Sequence, residues 1–150
     1  MDNLNNVCIC DLSSSDVDQV LEIENSYNLN IHSKDSIFKE LNTKIFKYFV
    51  AKIDNKVIGF ISFSHTLDIE IEAIAVDVYY TNKGVATLLL NKCFEFAKQN
   101  NIKNIFLEVR ESNQKAINLY IKNGFYKTNS RERYYDNLED AIIFKKVIFW

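Results

Sequence analysis

Ile74-Ala75-Val76-Asp77-Val78-Tyr79-Tyr80-Thr81-Asn82-Lys83-Gly84-Val85-Ala86-Thr87-Leu88-Leu89-Leu90 begins as an apolar strand and breaks at Asp77. It then crosses a polar turn at Thr81-Asn82-Lys83 and opens a helix at Gly84. Strand, tight turn and helix N-terminus in succession make an anion site. The first helical turn has backbone N–H groups without internal partners, and the helix dipole adds partial positive charge there. Gly84 has no Cβ to hold a ligand off that backbone, and Ala86 has only a methyl. A phosphate or pyrophosphate is the natural guest. One glycine at a strand–helix joint also serves packing alone, so support has to come from the flanking chain.

Upstream, Leu67 to Asp77 reads as one strand, in which period-two alternation puts Glu70, Glu72, Ile74 and Val76 on one face. Ile45 to Ile53 and Lys56 to His65 form a hairpin around Asp54-Asn55, and Gly59 suggests a bulge or a close backbone approach. A short strand is expected over Asn6 to Leu12. Ser13 to Asp16 offers caps for a helix carrying Val17, Val20, Leu21 and Ile23. Ser26 to Ser33 has no period and reads as a loop, and Ser33 to Ser36 starts a second short helix through Leu41. Downstream, the helix from Lys83 to Asn100 has a broad apolar face (Val85, Leu88, Leu89, Cys93, Phe96, Ala97), as expected against a sheet. A strand from Ile105 to Arg110 comes next. Ser112-Asn113 then caps a helix that ends near Asn123-Gly124. Strands around Phe125 to Arg133 and Ala141 to Phe149 flank a polar turn, Asp136 to Asp140. The order βααβββαβαββ predicts an α+β protein with a mixed sheet and one parallel crossover through the central helix.

The 150 residues suit one domain, and 47% hydrophobic with 25% charged residues is a globular balance. A net charge of -2 gives no global pull on nucleic acid or acidic membranes. No apolar run approaches membrane-spanning length. Met1 to Asn6 lacks a basic, then apolar, leader, so a cytoplasmic protein is expected. Cys8, Cys10 and Cys93 have no second C-x-C or histidine cluster to complete a zinc set. Free thiols and no metal are therefore expected. The absence of G-x-x-x-x-G-K-S/T and G-x-G-x-x-G disfavours nucleotide hydrolysis and dinucleotide redox chemistry.

Glu108 stands out in I-F-L-E-V-R, whose apolar neighbours suggest a central strand covered on both faces. Burial there would raise its pKa and make it a better base near neutral pH; a structural pairing with Arg110 or a helix N–H is the plainer alternative. Asn113, Ala116 and Tyr120 share one face of the following helix. Glu72 is a second candidate acid. His32 and His65 have no partner suggested by motif and read as surface or loop residues. No cysteine has a recognisable base beside it, which argues against a covalent thiol mechanism.

These pieces in this order resemble the GCN5-related N-acetyltransferase (GNAT) superfamily, and most closely its RimI-type branch of ribosomal-protein alanine N-acetyltransferases. Two blocks carry the resemblance. The first is I-A-V-D-x-x-Y-x-x-K-G-V-A-x-x-L-L, similar to the family's acetyl-CoA motif Gln/Arg-x-x-Gly-x-Gly/Ala, with Thr81 where Gln or Arg is usual. The second is L-E-V-R-x-S-N-x-x-A-x-x-L-Y-x-x-x-G-F, with R-Y-Y and E-D-A-I-I-F beyond it. The resemblance implies a central, mostly antiparallel twisted sheet with a βαβ acetyl-CoA-binding core and helices on both faces. It implies that the backbone of Ile74, Ala75 and Val76 pairs with the pantetheine arm. It further implies that Asn82, Lys83, Gly84, Val85, Ala86 and Thr87 cradle the pyrophosphate of the cosubstrate acetyl-CoA, and that Asn113 contacts it. Glu108 matches the proton acceptor and Tyr120 the proton donor. The RimI-type aromatic-Pro-Trp element is replaced here by Y-N-L-N-I-H, and the turn Asp136 to Glu139 is short. Both departures lie on the acceptor side. The implied acceptor is the N-terminal amine of a ribosomal protein, and the implied state is a monomer or weak homo-oligomer. Acetylation of another amine, or a non-catalytic acyl-CoA-binding module, are the alternatives.

Overall fold

The computed structural model describes residues 6–132, 134, 135 and 139–149. Its strands are β1 (Cys8–Asp11), β2 (Phe46–Ile53), β3 (Lys56–His65), β4 (Ile69–Val76), β5 (Asn104–Arg110), β6 (Tyr126–Arg131) and β7 (Ala141–Val147). The helices are α1 (Val17–Ser26), α2 (Lys34–Leu41), α3 (Val85–Gln99) and α4 (Gln114–Lys122), with short 3-10 turns at Ser14–Asp16 and Val78–Tyr80. The strands form one sheet in the order β1-β2-β3-β4-β5-β7-β6. Its pairs are antiparallel except β4 with β5, the crossover that α3 makes. This is the expected mixed α/β sheet, with helices on both faces.

Local chemistry explains the joints. Asp54 and Asn55 both have positive φ (48° and 66°), the conformation a two-residue hairpin turn with the twist of its strands requires. Ser33 accepts from the Ser36 N–H and Ser36 caps back, so α2 starts where the sequence indicates. Ahead of α1, the buried Asp16 receives the Ser13 N–H at 2.9 Å and pairs with Lys52 on β2 at 2.8 Å.

Two apolar layers sandwich the sheet. On one face α3 and α4 lay Val85, Leu89, Leu90, Cys93 and Ile117 over Ile61, Phe63, Ile69, Ile105 and Leu107. On the other, Val17, Val20, Ile23 and Ile37 of α1 and α2 cover Tyr48, Val50, Phe60, Ala73 and Ala75. Each fully buried aliphatic side chain, such as Leu89 or Ile61, stabilises by roughly 1.5–3 kcal/mol. Gly59 sits beside a register shift between Ala51 and Lys52 and lies under α3. A Cβ there would stand 3.1 Å from the Ala75 carbonyl and 3.3 Å from Leu89, so the bulge and the close approach are both present.

The β4 alternation departs from expectation. The β3–β4 register shifts between Ser62 and Phe63, where Ser62 faces Ala73 and Phe63 faces Ile71, so Glu72 is an extra residue in β4. A bulge reverses the inside–outside order of the residues beyond it. Ile69 and Ile71 belong to the α3-side core, but so do Ile74 and Val76, while Ala73 and Ala75 turn to α1. Glu70 and Glu72 therefore do not share a face with Ile74 and Val76. No helix among the described residues is long and apolar enough to cross a membrane.

Candidate active site

β4 and β5 are registered only at Ile69–Ile105 and Glu70–Phe106. Beyond that point β4 stays paired to β3 as far as Val76, and β5 to β7 as far as Arg110. Each strand thus has one edge of backbone N–H and C=O groups facing the gap between them. An extended ligand with amide groups can pair with such an edge as an added strand does. Ile74, Ala75 and Val76 lie on the β4 rim. The hydroxyl of Tyr27, at the end of α1, already donates to the Val76 carbonyl. A carbonyl has two lone pairs, so a second donor is still accommodated.

The β4 rim runs directly into the turn at Asp77–Gly84. The Asp77 carboxylate accepts the Tyr79 N–H at 3.0 Å and the Thr81 hydroxyl donates to the Val78 carbonyl at 3.2 Å, which fixes the turn from inside. Asn82 (φ 60°) and Gly84 (φ 86°) are both left-handed, and Gly84 is the N-cap of α3 with no side-chain cap. The first-turn N–H groups of Val85, Ala86 and Thr87 are left for an anion, the concave arrangement that suits a pyrophosphate. Lys83 packs its ammonium 5.6 Å from the centre of the Tyr80 ring at the same turn.

On the β5 side, the strand is central but only one of its faces is fully covered. Ile105, Leu107 and Val109 are buried, whereas Phe106 and Glu108 are half-buried and Arg110 is exposed. Glu108 is not sealed in apolar surroundings as its neighbours suggested; its carboxylate lies 3.2 Å from Arg131 Nε on β6, rather than on Arg110. Asn113 caps α4, its Oδ1 accepting the Ala116 N–H at 3.2 Å, so its amide nitrogen is the group able to reach a ligand. Tyr120 is 7% exposed and packs edge-on against Phe125 and at a tilt against Phe144. Burial, with Tyr135 nearby, pushes the phenol above its ordinary value. Tyr120 belongs to the α3-side core, while Glu108 alternates with the core residues of β5 and points to the other face. Acid and phenol therefore lie on opposite faces of the sheet. The Cys93 thiol is buried and pushed up by that burial, which suits packing and not nucleophilic attack.

The residues from 27 to 33 form the expected loop, exposed except at His32, and the loop is pinned to the fold at that residue. Glu24 is fully buried and accepts the N–H groups of Ile31 and His32, each at 2.6 Å. His32 Nδ1 lies 2.7 Å from the same carboxylate, and the His32 side chain is 1% exposed. The surface assignment of His32 is thus corrected: its ring packs edge-on to Tyr48 and Phe60 beneath α2. Burial favours the neutral imidazole, but the hydrogen bond to Glu24 and the charges of Glu24 and Glu72 outweigh it and raise the pKa to about 9. Glu40 joins the group by accepting from the Tyr48 hydroxyl. A trace of this was present in the sequence, since Glu24 continues the buried stripe of Val17 and Val20 at helical spacing. His65 is half-buried against Phe63 and Phe96. The acceptor-side turn noted at 136–139 lies outside the described residues from 136 to 138; at its edges Tyr135 N–H donates to the Glu139 carbonyl.

Residues 16–125 match the model of the acetyltransferase (GNAT) family. The chain belongs to this family. It is 35% identical over 143 residues to an N-alpha-acetyltransferase of Saccharolobus solfataricus, covering 85% of each. The solved ribosomal-protein-S18-alanine N-acetyltransferase from Escherichia coli superposes with a TM-score of 0.86 at 26% identity, over 96% of this GNAT chain and 95% of that one. A Bacillus anthracis protein solved in complex with acetyl coenzyme A has the same fold (TM-score 0.83, 23% identity, 95% of this chain and 99% of that one).

Proposed function

We propose that this GNAT chain transfers an acetyl group from acetyl-CoA to the N-terminal α-amine of a protein in the cytosol, with the alanine of a small-subunit ribosomal protein as its acceptor. The observation that carries the cosubstrate is the gap between β4 and β5, which runs straight into the uncapped, left-handed turn at Asn82 and Gly84. In this reading the rim of Ile74 to Val76 pairs with the pantetheine amides and the Asn82–Thr87 backbone holds the pyrophosphate. Acetyl-CoA supplies an acyl group on a thiolate leaving group.

The acceptor must lose a proton before it can attack. An α-amine has a pKa of about 7.7–8.0, so much of it is protonated at neutral pH. Glu108, half-buried on β5, takes that proton directly or through a water. Tyr120 approaches from the opposite face and hydrogen-bonds the departing thiolate. A phenol whose pKa is pushed up holds its proton more tightly than a thiol of pKa about 8.5, so stabilisation by hydrogen bonding carries more of the effect than full transfer. Transfer is direct, since no described side chain offers an acyl-enzyme nucleophile at the gap. A lysine amine of pKa about 10.4 costs roughly 3.5 kcal/mol more to deprotonate, which favours the α-amine.

One feature favours the alternative of a diamine or lysine acceptor. Glu70, and Glu72 at the β4 bulge, lie on the side away from the α3 core and would suit a second ammonium group. A panel of peptides with free and blocked N-termini, with and without lysine, separates the two. Activity is expected on the free Ala N-terminus and is to vanish when it is blocked. Turnover only on lysine or a polyamine would overturn the assignment.

A further inference from the structure

Beyond the gap, the side chains without a task cluster where the 27–33 segment meets the sheet. His32 Nδ1 is held by the buried Glu24 carboxylate at 2.7 Å. With that nitrogen as donor, a neutral imidazole presents its Nε2 lone pair on the other side. Nε2 and Glu72 Oε1 are both buried with no hydrogen-bond partner, and they stand 3.8 Å apart. That is too long for a hydrogen bond, and a buried polar atom without a partner is costly. A carboxylate oxygen of Glu40 completes a set of three donor atoms that all lie within 4.8 Å of one another.

Two donors bound to one ion at about 2.1 Å each stand about 3.0–4.2 Å apart for angles between 90° and 180°. At a tetrahedral angle the spacing is about 3.4 Å, so the His32–Glu72 pair must close by about 0.4 Å and the widest pair by up to about 1.4 Å, within reach of two flexible glutamates. We infer that His32, Glu40 and Glu72 form a site for a first-row divalent transition-metal ion, with Glu24 orienting the imidazole. A mixed nitrogen and oxygen set suits Zn2+, Mn2+ or Co2+ better than Ca2+ or Mg2+, which prefer oxygen alone. A carboxylate on the far nitrogen is how proteins commonly fix a ligating histidine. The Glu72 side chain is 26% exposed, which leaves an entry path and room for water as a further ligand. The ion ties the 27–33 segment, α2 and β4 together. The sequence offered no zinc motif because these ligands come singly from three elements.

Glu24 from α1, Glu40 from α2, Tyr48 from β2 and Glu72 from β4 surround the imidazole. The test is equilibrium titration of Zn2+ or Co2+ into the full chain carrying Cys8→Ser and Cys10→Ser, which removes competing thiols. One equivalent is expected to bind at about pH 7.5. Glu72→Gln and His32→Gln are each expected to weaken it at least about tenfold, and His65→Gln to leave it unchanged. Glu72→Gln is isosteric and part-exposed, so it decides the matter should His32→Gln fail to fold. Absence of stoichiometric binding, or equal binding in Glu72→Gln, overturns the site. So does a result in which no metal binds but Glu72→Gln raises the acceptor KM, which would make the cluster an ammonium subsite.

Discussion

Replacing His32 with Gln removes the proton that the buried carboxylates of Glu24 and Glu72 hold in place. In the folded chain the imidazole pKa is raised from 6.5 to about 9. A group whose pKa is higher in the folded state contributes stability that is fully present below its unfolded pKa and is lost as pH rises through the folded one. The window therefore runs from about 6.5 to about 9, and at 1.36 kcal/mol per pH unit it spans roughly 3 kcal/mol. The assay is urea unfolding of both proteins between about pH 6 and 10 with a chelator present, comparing their stabilities at each pH. General effects of alkaline pH cancel in the difference. Wild type is expected to lead by roughly 3 kcal/mol more at pH 6 than at pH 10, with most of the lead lost between 7 and 9. A lead that stays constant, or grows with pH, would refute the ion pair as the clamp on the 27–33 segment.

Two other substitutions probe the cosubstrate side. Gly59→Ala sets a methyl 3.1 Å from the Ala75 carbonyl, a backbone atom that cannot swing aside. Overpacking of about 1–3 kcal/mol, offset by the lower entropy of the unfolded alanine chain, leaves a net loss of about 1–2 kcal/mol in denaturant unfolding. Gly84→Ala forces a side chain into the left-handed region at φ 86°, at a cost of about 1–2 kcal/mol, and puts a Cβ at the mouth of the α3 N-terminus. Calorimetry is expected to show acetyl-CoA binding weakened at least about tenfold in that variant, where unchanged affinity would place the pyrophosphate elsewhere.

Local features were legible because local chemistry causes them. The Asp54-Asn55 hairpin, the Ser33 cap and the Asn113 cap each arise from residues within a few positions of one another. The turn at Gly84 was legible for the same reason. The features that escaped depend on pairing between distant segments. The β4 bulge arises from its register with β3, so simple alternation assigned Ile74 and Val76 to the face of Glu72. The Arg131 partner of Glu108 depends on the strand order β5-β7-β6, which no motif states. His32 looked isolated because its partners, Glu24 and Glu72, lie eight residues before it and forty after it, on α1 and β4. Glu24 is the one buried charge on α1, held by two backbone N–H groups and an imidazole from outside its own helix.

The most direct measurement is the kinetics of acetyl transfer from acetyl-CoA to a free Ala N-terminal peptide by wild type, Glu108→Gln and Tyr120→Phe, with cosubstrate affinity measured in parallel. Loss of a positioned acid or base lowers turnover by about 10²–10⁴-fold. Glu108→Gln is expected to fall in that range, and Tyr120→Phe at its lower end because hydrogen bonding outweighs full proton transfer. Acetyl-CoA affinity is expected to stay within a few-fold of wild type in both, since neither side chain belongs to the Gly84 turn. Wild-type turnover in either variant would contradict the roles assigned to the acid and the phenol on the two faces of the sheet.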